Sequence, residues 1–225
     1  MSPTLEIKGS IPAIVRNDAK VYQGNLVTYF QTLFNFAHNL TNPYHNFRHI
    51  CHVLWLCHQA CAYYRNDLSL RERRNLLIAA IFHDFDHTGT TGPDRVNIDR
   101  ALIALDRHVA SEDVEHRNDI ERLIIATEYP YVVPSENLDL MVQILRDADL
   151  SQAFSVAWIQ QVVFGLAQEW KMSPIDVLKK QKLFLRNLRY HTKWAQTLFP
   201  VELIETKISE AQELVDLLTT ETVSA

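Results

Sequence analysis

A chain of 225 residues, 47% of them apolar and 22% charged, is long enough to bury one sizeable core and has the composition of a globular domain. The net charge of -5 excludes the general basic surface of a nucleic-acid-binding domain, and five glycines leave few turns for a sandwich or barrel of many strands. Neither an apolar run of about 18 residues nor a signal-peptide pattern is present, so we expect a cytoplasmic protein that contacts neither membranes nor nucleic-acid polymers.

The hydropathy pattern predicts an irregular lead-in over residues 1–20, followed by one compact all-α domain over residues 21–225. Apolar residues recur at helical spacing, and no segment shows the alternation of a strand. Ser69 and Glu72 form the pattern of a capping box and open a helix that runs into His83. The other predicted helices cover residues 25–39, 44–65, 96–108, 112–127, 136–147, 174–194 and 200–218, with a long amphipathic segment over 151–171.

The most polar cluster of the chain directly follows its most apolar run. His83-Asp84-Phe85-Asp86-His87 comes after seven apolar residues, 76–82, and before a loop that contains Gly89 and Gly92. Ionisable side chains at the end of a buried helix cost several kcal/mol when they are left unpaired. Because imidazole and carboxylate are ligands of divalent cations, this stretch predicts a metal site.

Three histidines of the 44–65 helix share one face. His45 and His49 are one turn apart, and His52 follows three residues later. A single histidine on a helix is more often a surface residue or a hydrogen-bonded core residue. Three on one face, in a chain that also has the 83–87 cluster, favour metal binding or proton transfer.

Asp147 and Asp149 supply a third polar element. Two aspartates at this spacing face different ways on a helix, so only one of them enters a shared site. The alternative is a charged helix end in which Asp147 pairs with Arg146. Carboxylates at a helix C terminus oppose the macrodipole, however, which favours a functional role.

Together these motifs resemble the HD superfamily of metal-dependent phosphohydrolases. Tyr44-His45-Asn46-x-x-His49, His83-Asp84-x-Asp86-His87-x-Gly89 and Ala148-Asp149-Leu150-Ser151 occur in the order of that superfamily. They are most similar to the catalytic domain of class I cyclic nucleotide phosphodiesterases. The resemblance implies a compact HD-type helical domain that hydrolyses a 3',5'-cyclic nucleotide to the 5'-monophosphate through a metal-activated hydroxide.

The resemblance also assigns roles to residues. It implies two divalent ions, whose identity stays open among Mn, Mg, Zn, Fe and Ni. Asp84 matches the carboxylate that bridges the two ions, His45 matches the proton donor to the leaving oxygen, and His87 lies near the bridging water. The first ion would be held by His49, His83, Asp84 and Asp149, with Thr127 behind the ligands and Gln181 and Phe184 against the purine ring.

Two acidic residues complete the predicted site. Asp86 or Asp99 is expected to accept a hydrogen bond from a ligand histidine. The stretch that normally carries the glutamate orienting the acid histidine is shortened in this chain. Asp99 is therefore also predicted to replace that glutamate and orient His45.

Three other functions remain open from the sequence. A phosphomonoesterase or nucleotidase uses the same scaffold, because substrate choice lies in the pocket wall and not in the ligands. A di-iron oxygenase needs further histidine ligands, for which His108 and His116 are available. A binding module without activity would keep the fold and lose a ligand, whereas all the ligand types are present here. The oligomeric state and the base preference are not predicted.

Overall fold

The computed structural model describes residues 9–131 and 138–220, and all regular structure within these ranges is helical, as predicted. Eleven α-helices follow one another along these parts of the chain. They are α1 (Ile11–Arg16), α2 (Val27–Phe36), α3 (Phe47–Tyr63), α4 (Leu70–Phe82), α5 (Arg95–His108), α6 (Arg117–Ile125), α7 (Leu140–Asp149), α8 (Gly165–Trp170), α9 (Pro174–Asn187), α10 (Lys193–Leu198) and α11 (Val201–Thr219).

The helices that carry the candidate site begin at side-chain caps. The Ser69 hydroxyl accepts a hydrogen bond from the Glu72 amide, and the Glu72 carboxylate accepts one from the Ser69 amide. This reciprocal pair confirms the predicted capping box at the start of α4. At the start of α3, the Asn46 side chain accepts hydrogen bonds from the amides of Arg48 and His49. Because Asn46 sets the first turn of α3, it also sets the position of His49.

The prediction of an irregular lead-in is wrong for residues 11–16. Ser10 caps α1, and Ile14 and Val15 of this short helix are buried in the core. The pattern was missed because a helix of six residues is shorter than two turns and shows no clear period. Residues 1–8 lie outside the described part of the chain.

Several predicted boundaries also need correction. The 136–147 helix extends to Asp149, and residues 132–137 lie outside the described part. The 151–171 segment is divided into a 3₁₀ turn (Leu150–Phe154), a π-helical turn (Ile159–Phe164) and α8. No single helix of the described residues is long and apolar enough to cross a membrane, and one pair, Leu140–Phe154 with Ile159–Trp170, meets the test only as two segments bent by 100°.

Helix α4 lies at the centre of the domain. Every residue from Leu76 to Phe82 is fully buried, and α4 packs against α2, α3, α5, α6 and α7. A helix that is apolar on all sides is stable only inside a core. The C-terminal end of α4 therefore delivers the His83-Asp84 pair to the interior, where charged groups need partners.

The N-terminal half of α4 is held by a buried ion pair that the sequence analysis did not predict. Arg74 donates from Nε and Nη2 to the two carboxylate oxygens of Asp113 at 2.7 and 2.6 Å. The Tyr29 hydroxyl donates to the same carboxylate at 2.7 Å. Burial raises the pKa of Asp113, but the hydrogen bonds from Arg74 and Tyr29 outweigh it and lower that pKa below its usual value.

The substitution Asp113→Ala is expected to lower the free energy of unfolding by about 3–5 kcal/mol, because it removes the buried carboxylate and leaves the buried Arg74 guanidinium only the exposed Glu112 as an acidic partner. The control Asp106→Ala removes the partner of Arg117 in an exposed pair and should cost less than about 1 kcal/mol. Urea denaturation measures both values. The native protein should also lose the Asp113 contribution as the pH falls below about 4, because its folded-state pKa is lowered. Similar losses in both variants would contradict this account.

Candidate metal centre and catalytic cavity

Four predicted metal ligands from three helices converge at the centre of the domain. The first turn of α3 carries His49, the end of α4 leads into His83 and Asp84, and the last residue of α7 is Asp149. The imidazoles of His49 and His83 are buried, with 1% of each side chain exposed. The four residues meet because α3 and α7 both pack against the central helix α4.

The ligand atoms of His49, His83 and Asp149 lie within 4.8 Å of one another, and Asp84 Oδ2 lies beside both histidines. His49 Nε2 lies 3.2 Å from Asp84 Oδ2, 3.1 Å from Asp149 Oδ1 and 3.3 Å from His83 Nε2. His83 Nε2 lies 3.4 Å from Asp84 Oδ2 and 3.6 Å from Asp149 Oδ1. Atoms bound at about 2.0–2.2 Å from a common tetrahedral ion have such separations. Asp84 Oδ2 is buried and, among the described residues, has the two imidazoles beside it but no well-aligned hydrogen bond, which further fits a metal ligand.

The outer nitrogens of both ligand histidines are fixed by carbonyl oxygens. His49 Nδ1 lies 2.6 Å from the Gln152 side-chain oxygen, and His83 Nδ1 lies 3.0 Å from the carbonyl oxygen of Ala80. Because these oxygens only accept, both Nδ1 atoms carry hydrogen and both Nε2 atoms are left to face the cluster. Gln152 was not predicted, since it approaches His49 only through the 3₁₀ turn after α7.

The predicted roles of Asp86 and Asp99 as hydrogen-bond acceptors of the ligand histidines are wrong. Asp86 Oδ1 instead accepts a hydrogen bond from the backbone amide of His38 and contacts the ring nitrogen of that residue at 3.0 Å. Asp99 lies on the exposed face of α5 and pairs with Arg95 at 2.8 Å. The carbonyls of Ala80 and Gln152 occupy the positions that these carboxylates were expected to fill.

Only one of the two aspartates at the end of α7 faces the cluster, as predicted. Asp149 lies beside the histidines, whereas the carboxylate of Asp147 accepts hydrogen bonds from the amides of His191 and Thr192. The Thr192 hydroxyl donates to Asp147 as well. Asp147 therefore anchors the chain segment before α10, and Asp149 is the aspartate that lies at the metal cluster.

The packed carboxylates make this cluster attractive to a cation. Burial lowers the pKa of His49, but the hydrogen bonds to Asp149 and Asp84 outweigh it and raise that pKa to about 9. Burial raises the pKa of Asp149, while the hydrogen bonds to His49 and His83 lower it to about 2. A divalent ion would replace the protons that the histidines otherwise hold, so metal binding should strengthen as the pH rises.

His52 holds the turn that follows Asp149. Its Nε2 lies 3.1 Å from the Ser151 hydroxyl, and that hydroxyl donates to the carbonyl of Ala148. The Ser151 oxygen therefore accepts from His52 Nε2, which places a hydrogen on that nitrogen. Burial, and the proximity of His49, lower the pKa of His52 to about 4. His52 is thus neutral and contacts the site through Ser151.

A glutamate on α8 orients His45. His45 Nδ1 lies 2.6 Å from Glu169 Oε2, and Glu169 Oε1 accepts hydrogen bonds from the amides of Tyr44 and His45, each at 2.9 Å. Burial raises the pKa of Glu169, but its contacts with His45 lower it, so the carboxylate is ionised. The prediction that Asp99 orients His45 is therefore wrong. In the sequence, the only sign of this role is that Glu169 stands among the apolar residues Leu166, Ala167 and Trp170.

Gly165 allows α8 to come this close to the loop before α3. A Cβ atom at Gly165 would lie 2.7 Å from the carbonyl oxygen of Pro43, which is shorter than real contacts allow. The π-helical turn directly before Gly165 is the kind of local distortion that often occurs at functional sites. The close approach brings Glu169 to within hydrogen-bond distance of His45.

His87 stacks on His45. The ring centroids are 3.6 Å apart, with an angle of 20° between the planes. Burial, and then the proximity of His45, lower the pKa of His87 to about 4, so its ring is neutral. His87 Nδ1 accepts a hydrogen bond from the amide of Gly89. His45, His87 and Glu169 also come close enough to hold an ion, but the Nδ1 atom of each histidine and the Glu169 carboxylate already have these hydrogen-bond partners.

The metal cluster and the His45–Glu169 pair open into one cavity of about 360 Å³. This volume is within the range of small-molecule sites. Thr127, Gln181 and Phe184 line the same cavity as His45 and the ligands. Gln181 is buried, and its side-chain oxygen has no hydrogen-bond partner among the described residues. The predicted site residues other than Asp86, Asp99 and the deeper His83 therefore meet around one space.

Residues 44–130 match the family model described as 3'5'-cyclic nucleotide phosphodiesterase. This match confirms the resemblance inferred from the motifs and implies a hydrolase that acts on phosphodiester bonds. The matched segment contains His45, His49, the His83–His87 cluster and Thr127, whereas Asp149, Glu169, Gln181 and Phe184 lie beyond it. A comparison with curated proteins finds no match.

The substitution Asp84→Asn is expected to remove most of the bound divalent metal, because it replaces a charged carboxylate ligand of the cluster with a neutral amide. Metal analysis after gel filtration, with and without added manganese, measures this loss. Asp99→Asn changes an exposed carboxylate on α5 in the same chemical way and should leave the metal content unchanged. Equal metal contents in the two variants would argue against this ligand set.

Proposed function

We propose that this chain, whose residues 44–130 match the 3'5'-cyclic nucleotide phosphodiesterase model, hydrolyses a 3',5'-cyclic nucleotide to the 5'-monophosphate with the help of two divalent ions. One observation carries the proposal: a four-ligand metal cluster and an oriented His45–Glu169 pair share a cavity with Gln181 and Phe184. Each part has a separate task in the hydrolysis of a phosphodiester.

His49, His83, Asp84 and Asp149 would hold the first ion, and Asp84 would also contact the second. Divalent ions in such a site activate water at neutral pH and neutralise charge on the phosphoryl oxygens. The chain itself supplies the rigid shell. Gln152 and Ala80 hold the histidine rings, and their hydrogen bonds fix a hydrogen on each Nδ1, so that Nε2 is the atom presented to the metal.

His45 would donate the proton that the leaving 3'-oxygen needs. In its charged form this imidazole keeps one hydrogen on Nδ1 toward Glu169 and presents the other from Nε2. The ionised Glu169 accepts the hydrogen bond from Nδ1 and fixes the ring orientation, as a carboxylate does for a catalytic histidine. The neutral His87 stacks on the ring and does not add a second charge to its face.

Gln181 and Phe184 would bind the base. Both lie on α9 and, being three residues apart, share one face of that helix. The amide of Gln181 has an unused oxygen, and an amide pairs with both donors and acceptors on a purine edge. Phe184 is half-buried in the cavity wall and offers an apolar surface for the ring.

Product analysis of the manganese-loaded protein tests this function directly. The substrates are 3',5'-cyclic AMP and cyclic GMP, with 5'-AMP and 5'-GMP tested in parallel. We expect the 5'-monophosphates to accumulate without further breakdown. Release of inorganic phosphate from the monophosphates, with both cyclic nucleotides intact, would instead assign the site to a nucleotidase.

The substitution His45→Ala should lower kcat for 3',5'-cyclic AMP by about 10²–10⁴-fold, because general acid catalysis contributes that much. The same variant should lose far less activity on bis(p-nitrophenyl) phosphate, whose leaving group scarcely needs a proton. His38→Ala, a change of an exposed histidine, serves as the control. Equal losses on the two substrates would show that His45 is not the acid.

Glu169→Gln tests the orienting contact separately. An amide keeps the shape of the side chain but removes its charge, so we expect kcat for cyclic AMP to fall about 10–100-fold with the metal content unchanged. Glu213→Gln on the exposed face of α11 is the matched control. The loss should again be smaller with bis(p-nitrophenyl) phosphate, and a loss of bound metal would contradict the assigned role.

A further inference from the structure

A second cavity adjoins the catalytic cavity on the side of Phe184. It measures about 350 Å³, and Tyr129, Leu150 and Phe184 line both spaces. Leu150 directly follows the metal ligand Asp149, so the second cavity begins one residue from the metal cluster. The two cavities therefore adjoin at Phe184, where a molecule longer than one nucleotide could contact both.

The wall of this second cavity, which we call the cationic cavity, is rich in hydrogen-bond donors. Arg146, Arg189 and His191 line it, and no described residue of its lining is acidic. Arg146 is buried, with its guanidinium 3.9 Å above the ring of Tyr131 and its Nε donating to the carbonyl of Ala126. The catalytic cavity has the opposite character, since three aspartates line it.

Two further polar groups lie in the wall of the cationic cavity. The hydroxyl of Tyr131 is buried without a hydrogen-bond partner in the described part of the chain, and the amide of Asn187 lines the same space. Asp147 contacts the neighbouring segment, but its carboxylate points to the amides of His191 and Thr192 and is not in the lining. Guanidinium and hydroxyl donors around a small cavity are suited to a phosphate group.

We propose that the cationic cavity binds a second phosphate, so that dinucleotides are substrates in addition to 3',5'-cyclic mononucleotides. This inference rests on the proposed phosphodiesterase function. One phosphodiester lies at the metal cluster for hydrolysis, and the other phosphate contacts Arg146 and Arg189. Cyclic and linear dinucleotides share this chemistry, and both belong in the test.

The first test measures binding and does not depend on turnover. Calorimetric titration of the metal-loaded protein compares adenosine 3',5'-bisphosphate with 5'-AMP, which lacks the second phosphate. We expect the bisphosphate to bind roughly tenfold more tightly, as one charge-assisted hydrogen bond to phosphate allows. Arg189→Gln should remove this advantage. Arg186→Gln changes an exposed arginine on the same turn that is outside the cavity lining, and it should keep the advantage.

The second test measures hydrolysis of a cyclic dinucleotide, of linear 5'-pApA and of 3',5'-cyclic AMP. Arg189→Gln should lower kcat/KM for at least one dinucleotide about tenfold and leave cyclic AMP within about twofold. Arg146→Lys, which keeps the charge but loses the planar fork, should act in the same direction. A cyclic dinucleotide that is cleaved while pApA is not, or the reverse, identifies which form fits.

The outcomes separate this inference from the proposed function. Equal affinity for adenosine 3',5'-bisphosphate and 5'-AMP, or an advantage that survives Arg189→Gln and Arg146→Lys, overturns the second-phosphate site even if cyclic AMP is hydrolysed. Absence of all diester hydrolysis, combined with an arginine-dependent advantage in binding, would overturn the phosphodiesterase function and keep the site.

Discussion

The packing of two carboxylates against two buried imidazoles is the constraint on which the rest of the molecule depends. Asp84 and Asp149 approach His49 within 3.2 Å at the end of the fully buried apolar run of α4. Burying that much charge without a partner would cost several kcal/mol, and a divalent cation is the partner that these ligand types select. The arrangement of α3 and α7 around α4 follows from this need, because each helix must present one of its ends at the same point.

Much of the fold and of the metal cluster is predictable because the signals are local. The apolar run 76–82 predicts a core helix, and the polar residues that directly follow it, from His83 to His87, form the metal motif. The spacing of His45 and His49 is one helical turn, so their common face follows directly from helix geometry. The relation of Asp147 to Asp149 is predictable for the same reason. In each case the functional geometry lies within a few consecutive residues.

The contacts that the sequence did not predict all join distant segments. Glu169 reaches His45 across 124 positions, and it does so because Gly165 permits a close backbone approach that no hydropathy pattern records. Gln152 replaces the expected carboxylate behind His49 because the chain turns tightly after α7. Asp99 was predicted to orient His45 because the stretch that carries the orienting glutamate in the resembled family is shortened here, and α5 directs Asp99 to the surface instead.

The two cavities divide the recognition of an anionic substrate. The catalytic cavity combines carboxylates with the metal cluster, so it attracts phosphate only when cations are bound there. The cationic cavity has permanent donors in Arg146 and Arg189 and needs no metal. Phe184 and Leu150 separate the two spaces with apolar surface, which fits a base or a sugar between two phosphates.

The location of bound manganese tests the central claim most directly. Crystals grown with manganese and measured at its absorption edge would show the ions by their anomalous scattering. We expect one strong peak in coordinating contact with His49, His83, Asp84 and Asp149, and a second peak beside Asp84. A peak between His45, His87 and Glu169, with none at the four-ligand cluster, would contradict both the metal site and the role of His45 as proton donor.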